Sequence, residues 1–448
     1  MKTHQLPLLK IAFAVAIAFS GAASAIQNVP APAQKTPILL KGATLHTVSG
    51  DNIVGGDMLI DKGRIVALGS NVQVPANAQI IDVTGKHIYP GMIAANTVVG
   101  LSEVQSVRAT ADFAEAGAIN PNARAVVAVN PDSELIAVAR TNGVLATLAV
   151  PQAGPAGMIT GTSALMQMDG WTWEDMAVQQ EVGLHIVLPN MRFNADLFPP
   201  PFDARLEEMR KSSADRIKML EDAFDTAKAY RDARLQDTSA KIDVRWEAML
   251  PVLSGSRPVF IQAQDIAQIR YALNFAQRYQ LKLVIVGGTD APFIADVLRE
   301  RKVPVIIAGV HKLPVRRGDA YDAPYSLAAK LSQAGVMFCI ARGGTDDDGP
   351  NERNLPYEAG TAVGFGLDKN EALKAITLYP AQILGVADKL GSLEVGKYAN
   401  FFVSNGDPLE AASKVEKIFI QGRVVDGSTL QSRLTEKYQQ KYLQKAAK

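Results

Sequence analysis

The chain has a single cysteine, five histidines and three tryptophans in 448 residues. Cys339 has no second thiol to pair with, so an internal disulfide is excluded and stability must come from the core. Its setting, "GVMFCIA", suits a buried small hydrophobe, whereas a nucleophilic thiol would want a basic neighbour. The histidines are His4, His46, His87, His185 and His311, and they form no HxH, HxxH or HxxxH pair. A multi-histidine metal centre therefore has no local seed. A mononuclear arrangement of His185, His311 and a carboxylate stays open. Long Lys/Arg runs are also missing, and the formal net charge is +1, so there is no electrostatic footprint for nucleic acid. Ser163 has no GxSxG around it, which leaves a Ser-His-Asp triad unsupported. No GxGxxG follows the first strand, which weakens a dinucleotide site.

What is present begins with a signal-like start. Lys2, His4 and Lys10 precede the apolar run Ile11 to Phe19, and small residues lead to Ala23-Ser24-Ala25. That order predicts a cleavable signal peptide over 1–25 and a periplasmic or secreted protein; the alternative is an uncleaved N-terminal anchor. No later stretch is long and uncharged enough for a second span, so no stable membrane span is expected once the signal is removed. Residues 26–35, rich in Pro, Ala and Gln, read as a mobile linker.

Short apolar runs broken by Gly, Asp and Lys make residues 36–88 and 389–428 β structure, with a hairpin turn at "DKGR", Asp61 to Arg64. Two β segments at opposite ends of a chain can build one small β-sandwich. Between them, over 89–388, continuous apolar strands such as "RPVFIQA", "LKLVIVGG", "VPVIIAGV" and "VMFCIA" alternate with amphipathic helices. This α/β cadence predicts a parallel sheet closed into a (β/α)8 TIM-like barrel in preference to an open sheet. Residues 203–249 interrupt it with Leu206, Met209, Ile217, Leu220, Phe224, Ala227 and Tyr230 at helical spacing, and read as one or two inserted helices. Residues 429–448 read as a helical tail.

"GKHIYPGMI" and "ITLYPAQILGVADKLGSLEVGKYANFFV" resemble the amidohydrolase superfamily, nearest its imidazolonepropionase-like group. In the second stretch Thr377, Pro380, Ala381, Leu384, Gly385, Gly391, Ser392, Leu393, Gly396 and Lys397 stand in the family order. The resemblance implies a barrel with a sandwich made from both chain ends, hydrolysis of carbon–nitrogen bonds other than ordinary peptide bonds, and a divalent metal such as zinc. It also implies ligands that this chain does not supply. Asn96 and Val98 stand at the two histidines of the first strand, Gln262, with Gln264 close by, at the next, Gly287 at the third, and Arg342 near the final aspartate. Asp346, Asp347 and Asp348 follow Arg342 and read as solvated. The residues themselves thus point to no cofactor.

The catalytic face of such a barrel lies at the C-terminal ends of its strands. His311 falls there, in "HKLPVRRGDAYDAPY" with Lys312, Arg316 and Tyr321, and is the catalytic candidate. Glu103 and Arg108 follow the first strand, Gln152 and Ser163 lie in a Gly-rich stretch, and Gln262 and Arg342 end later strands. With Arg316 and Tyr321 they form the candidate binding set for a small polar or anionic molecule. Two functions compete: an exported hydrolase with an altered site, and a catalytically inactive relative that binds a small-molecule ligand or pairs with an active paralogous amidohydrolase subunit.

Overall fold

The computed structural model describes residues 29–193, 203–237, 239 and 241–446. The signal-like residues 1–25 lie outside them. The first strands are β1 (Ile38–Leu45), β2 (Ile53–Asp61), β3 (Arg64–Gly69), β4 (Gln79–Asp82) and β5 (His87–Pro90). The barrel segment carries β6 (Met92–Thr97), β7 (Val144–Ala149), β8 (Ile159–Thr162), β9 (Ala164–Gln167), β10 (Ala177–Gln179), β11 (Leu184–Val187), β12 (Val259–Ala263), β13 (Leu283–Gly287), β14 (Val305–Ala308) and β15 (Phe338–Ala341). The chain closes on β16 (Phe401–Ser404), β17 (Val415–Ile420) and β18 (Arg423–Val425).

Both chain ends share one eight-stranded sheet, β18-β17-β16-β5-β1-β2-β3 with β4 on β1. The ends meet where β16 runs antiparallel to β5, Phe401 opposite Pro90. Its core contains Leu40, Ile60, Ile88 and the stacked rings of Phe401 and Phe419, 4.5 Å apart. The hairpin at Asp61 to Arg64 forms as its composition demands, with Lys62 at φ 47° and Gly63 at φ 76°.

The barrel ring runs β6, β7, β8–β9, β11, β12, β13, β14, β15, with β15 returning beside β6. It is a TIM-like barrel with one departure from the all-parallel expectation. β8 and β9 form one bent strand that runs antiparallel to β11 on one side and to β7 on the other. No helix intervenes between β7 and β8, so the chain has to return downward as a strand. Cys339 is buried in β15, as its neighbours require.

Helices cover the ring: α1 (Glu134–Arg140), α2 (Asp203–Gln236), α3 (Ile266–Tyr279), α4 (Ala295–Glu300), α5 (Leu327–Gln333), α6 (Leu355–Gly364), α7 (Lys369–Ala375) and α8 (Leu378–Ile383), followed by the tail α9 (Leu430–Ala446). Asp265 starts α3 with a capping box closed by Gln268. The inserted segment is chiefly one 34-residue helix, α2. It packs Phe224 edge-on to Phe275 of α3, 4.8 Å between centroids. Among the described residues no helix is long and apolar enough to cross a membrane.

The described part of the expected linker is held down rather than free. Gln34 accepts from Gly63 N–H at 2.9 Å and donates to the Ile60 carbonyl at 2.9 Å. Ala31 N–H donates to Asp169 Oδ2 at 3.3 Å. Asp169 also meets Arg423 of β18 at 2.8 Å and Arg140 of α1 at 3.4 Å, so one buried carboxylate joins sheet, barrel and N-terminal segment. Burial pushes its pKa up and the two guanidiniums offset only part of this. Asp169→Ala leaves two guanidiniums short of their counter-charge and is expected to lower stability by about 3 kcal/mol, read as a fall in the urea midpoint.

Candidate functional site

The C-terminal ends of the barrel strands enclose a cavity of about 370 Å³. Gln152 reaches it from the end of β7, Gln262 and Gln264 from β12, His311 and Lys312 from beyond β14, and Arg342 and Asp348 from beyond β15. Glu358 enters from α6. A larger hollow of about 1060 Å³ opens at the opposite ends of the strands. Its one carboxylate, Glu181, is paired with Arg124 and Arg257. The mouth holds the denser set of convergent polar groups and lies on the face that carries function in barrels of this kind.

The mouth is organised around Glu358, whose side chain is 2% exposed. Its Oε2 accepts the backbone N–H of Val310 and that of His311, the latter at 2.8 Å. Its Oε1 accepts Arg342 Nη1 at 2.6 Å and lies 3.4 Å from His311 Nδ1. Arg342 Nη2 donates in turn to Asp348 Oδ1 at 3.2 Å. Asp348 Oδ2 takes the hydroxyl of Thr345 at 2.7 Å. Asp348 is therefore not the solvated loop acid that its neighbours suggest. His311 Nε2 sits 2.7 Å from the Thr361 hydroxyl, so both ring nitrogens face protein partners.

Lys312 is different. It lines the cavity as an exposed residue, and its side chain has neither an ion pair nor a hydrogen bond among the described residues. Desolvation lowers its pKa, and nearby Arg342 lowers it further, against the pull of Asp348 and Glu358. The Gln262 amide is likewise without a partner.

A family model described as "Amidohydrolase family" matches residues 344–429. The curated protein "Amidohydrolase tasK" of Hapsidospora irregularis is 21% identical over 406 residues, 82% of this chain. This chain spans only 39% of that relative's length. An imidazolonepropionase of Syntrophobacter fumaroxidans is 36% identical over 83 residues, 18% of this chain and 19% of its own. The crystal structure of an amidohydrolase from Thermotoga maritima MSB8 superimposes with a TM-score of 0.76 at 27% identity, covering 87% of this chain and 99% of that one. The chain belongs to the amidohydrolase superfamily. The structure of phenylurea hydrolase B, at TM-score 0.52, 15% identity, 88% of this chain and 97% of that one, shares the fold alone.

The superfamily's metal does not fit this donor set. Asn96 turns its Nδ2 to the carbonyls of Arg342 and Gly343, at 3.1 and 3.0 Å, and so serves as a clasp between β6 and β15. Val98 is fully buried. Gly287 has φ 106°, and a Cβ there would collide with the Gln264 side-chain amide. The place of the fourth imidazole is thus already filled. Arg342 brings a positive charge where an anionic ligand is needed. His185 is buried in β11, stacked on Phe260 at 4.7 Å between centroids, and burial pushes its pKa down to about 3. It does not line the mouth cavity with His311. Among the described residues no group of three or more His, Cys, Asp or Glu could hold a metal ion.

Of the residues expected at an amidohydrolase-like site, the structure brings His311, Gln152, Gln262 and Arg342 together at the mouth. Arg316 lies on the same face but is spent on Asp290 and Asp319. Glu103 binds Ser133 at 2.9 Å and Asn130 at 3.2 Å instead of facing the cavity. Arg108 donates to the Ala111 carbonyl within its own turn. Tyr321 is 76% exposed and outside the cavity. Ser163 is buried at the bend between β8 and β9, beside Gly183 at the lower end of β11. The reversed strand puts it there: a residue after an upward strand would have reached the mouth. Glu358 has no signal in its own segment, an ordinary helix, and Lys312 was visible only as one of several charges in a loop.

Behind the mouth, Glu352 is fully buried and neither of its oxygens has a well-formed hydrogen bond. Burial pushes its pKa up to about 8, with Thr97 and Arg342 offsetting part of the effect. A carboxyl raised in the folded state adds stability that is full below its unfolded value and declines as pH rises through the folded one. Wild-type stability relative to Glu352→Gln is therefore expected to fall by a few kcal/mol between pH 5 and pH 8.5, since each pKa unit corresponds to about 1.4 kcal/mol. Urea unfolding of both proteins at the two pH values checks this. Equal pH profiles would remove the assignment.

Proposed function

We propose that the barrel mouth binds a small organic anion, a carboxylate above all, through direct contact with Lys312 and Gln262, and that the protein works as a metal-independent ligand-binding member of its superfamily. The observation that carries this reading is the Lys312 ammonium, a charged group in a cavity whose other charges are already paired. An anion entering beside it supplies a direct counter-charge, and the Gln262 amide, without a partner among the described residues, can donate to the same oxygens. Metal-free hydrolysis, by contrast, needs a base with an open lone pair. Glu358 and Asp348 already accept from several donors, and His311 is engaged at both nitrogens.

Such a protein can act by itself or beside an active paralogous subunit. The Hapsidospora irregularis relative leaves more than half of its own length outside the match, room for a second unit of this size. We also read the protein as exported, on the signal-like order of residues 1–25. The mature protein is then expected to begin at Ile26 by N-terminal sequencing, and retention of Met1 would contradict export by cleavage.

Titration calorimetry with acetate, butanoate and benzoate tests the binding reading. Lys312→Gln is expected to weaken binding roughly tenfold or more, in line with the ~1.5 kcal/mol of a hydrogen bond to a charged group. Affinity should fall as pH rises through the lowered pKa of Lys312, because the ammonium is charged only below it. Binding that ignores both the substitution and the pH would refute it.

The likeness to the Thermotoga maritima amidohydrolase over nearly its whole length favours a second reading, a hydrolase of non-peptide carbon–nitrogen bonds. His311 would then be the base, released from Thr361 by the arriving ligand. Turnover of amides, lactams or cyclic ureas by the purified protein, abolished in His311→Ala, would establish it.

A further inference from the structure

The mouth cavity does not end at Lys312. Ala308, Gly309 and Lys312 also line a second hollow of about 210 Å³ on the same face of the barrel. Much of its wall is apolar, with Pro292, Phe293, Leu313, Pro314, Val315 and Leu327, beside the paired Asp290, Arg316 and Asp319 and the ammonium of Lys330. Three of the apolar residues are left largely in water, Phe293 at 69%, Leu313 at 83% and Val315 at 70% exposure. Large apolar side chains gathered around a concavity mark a binding surface.

Their loop is not loose. Arg316 ties it to the buried Asp290 beyond β13, and the Arg316 N–H donates to Asp319 Oδ2 at 2.9 Å. The ion pair braces the loop with its apolar side chains turned outward. Arg316, Asp290 and Asp319 satisfy one another, and Lys312 stands at the junction of the two hollows, with Lys330 as a second ammonium on the wall of the smaller one.

We propose that the ligand is amphiphilic: a carboxylate whose head meets Lys312 in the mouth and whose apolar tail lies in the adjoining hollow against Phe293, Leu313 and Val315. This rests on the carboxylate reading of the mouth and adds the tail. A hollow of about 210 Å³ takes roughly seven groups of ~30 Å³, so the tail is of medium length.

The test is calorimetric titration of the full chain with straight-chain carboxylates from acetate to dodecanoate below their micelle concentrations, with 1-octanol as the headless control. Affinity is expected to rise about fourfold per methylene and to level off near eight carbons. The exposed-site variant Leu313→Ser/Val315→Ser should flatten the rise and leave acetate, which has no tail, unchanged. Lys312→Gln should weaken octanoate roughly tenfold and leave 1-octanol as it was. Short acids that bind through Lys312 with no gain from chain length would overturn the tail while sparing the mouth. A chain-length gain that survives the double substitution would also overturn it, by placing the tail elsewhere. Failure of every acid to bind would overturn both readings.

Discussion

The Glu358 carboxyl is deeply buried, and it collects its donors from two segments of the chain. The amides of Val310 and His311 fix the end of β14, and the Arg342 guanidinium fixes the end of β15. Arg342 then positions Asp348, which holds Thr345. Removal of the carboxyl would strand an inward guanidinium and two amides, a loss in the range of several kcal/mol. The shape of the mouth therefore follows from one charge-balance requirement. The same requirement uses up the acids that a hydrolase would need free, and it leaves Lys312 as the charge without a counterpart.

Much of the fold was legible in the sequence. Continuous apolar runs and Gly-punctuated short strands separate barrel from sheet, and the carboxy-terminal motif ties the two ends together. The strand β8–β9 was not legible, because an apolar run buried on both faces carries no mark of its direction. Only the missing helix after β7 announces the reversal. The described part of the expected linker looked mobile by composition, yet Gln34 and Ala31 have partners distant in sequence that composition cannot show.

The site was legible in part, and for a physical reason. Position after a barrel strand brought His311, Gln262 and Arg342 to the mouth, since topology alone decides that. Glu103, Arg108 and Tyr321 are polar residues in loops, and polarity in a loop does not say which way a side chain turns. Glu358 belongs to a helix 16 residues beyond Arg342 and is recognised only once the donors that surround it are seen. The absent metal ligands were plain in the sequence, but what replaced them was not: Asn96 as a clasp, Gln264 filling the space above Gly287, and a guanidinium in place of an acid.

The central claim is that the Lys312 ammonium and the Gln262 amide, and not a metal ion, hold the mouth's ligand. The direct measurement is metal content by mass spectrometry after zinc loading and desalting, paired with butanoate affinity before and after loading. The account predicts less than stoichiometric zinc and an unchanged affinity. One zinc retained per chain, with binding that appears only in the loaded protein, would contradict it.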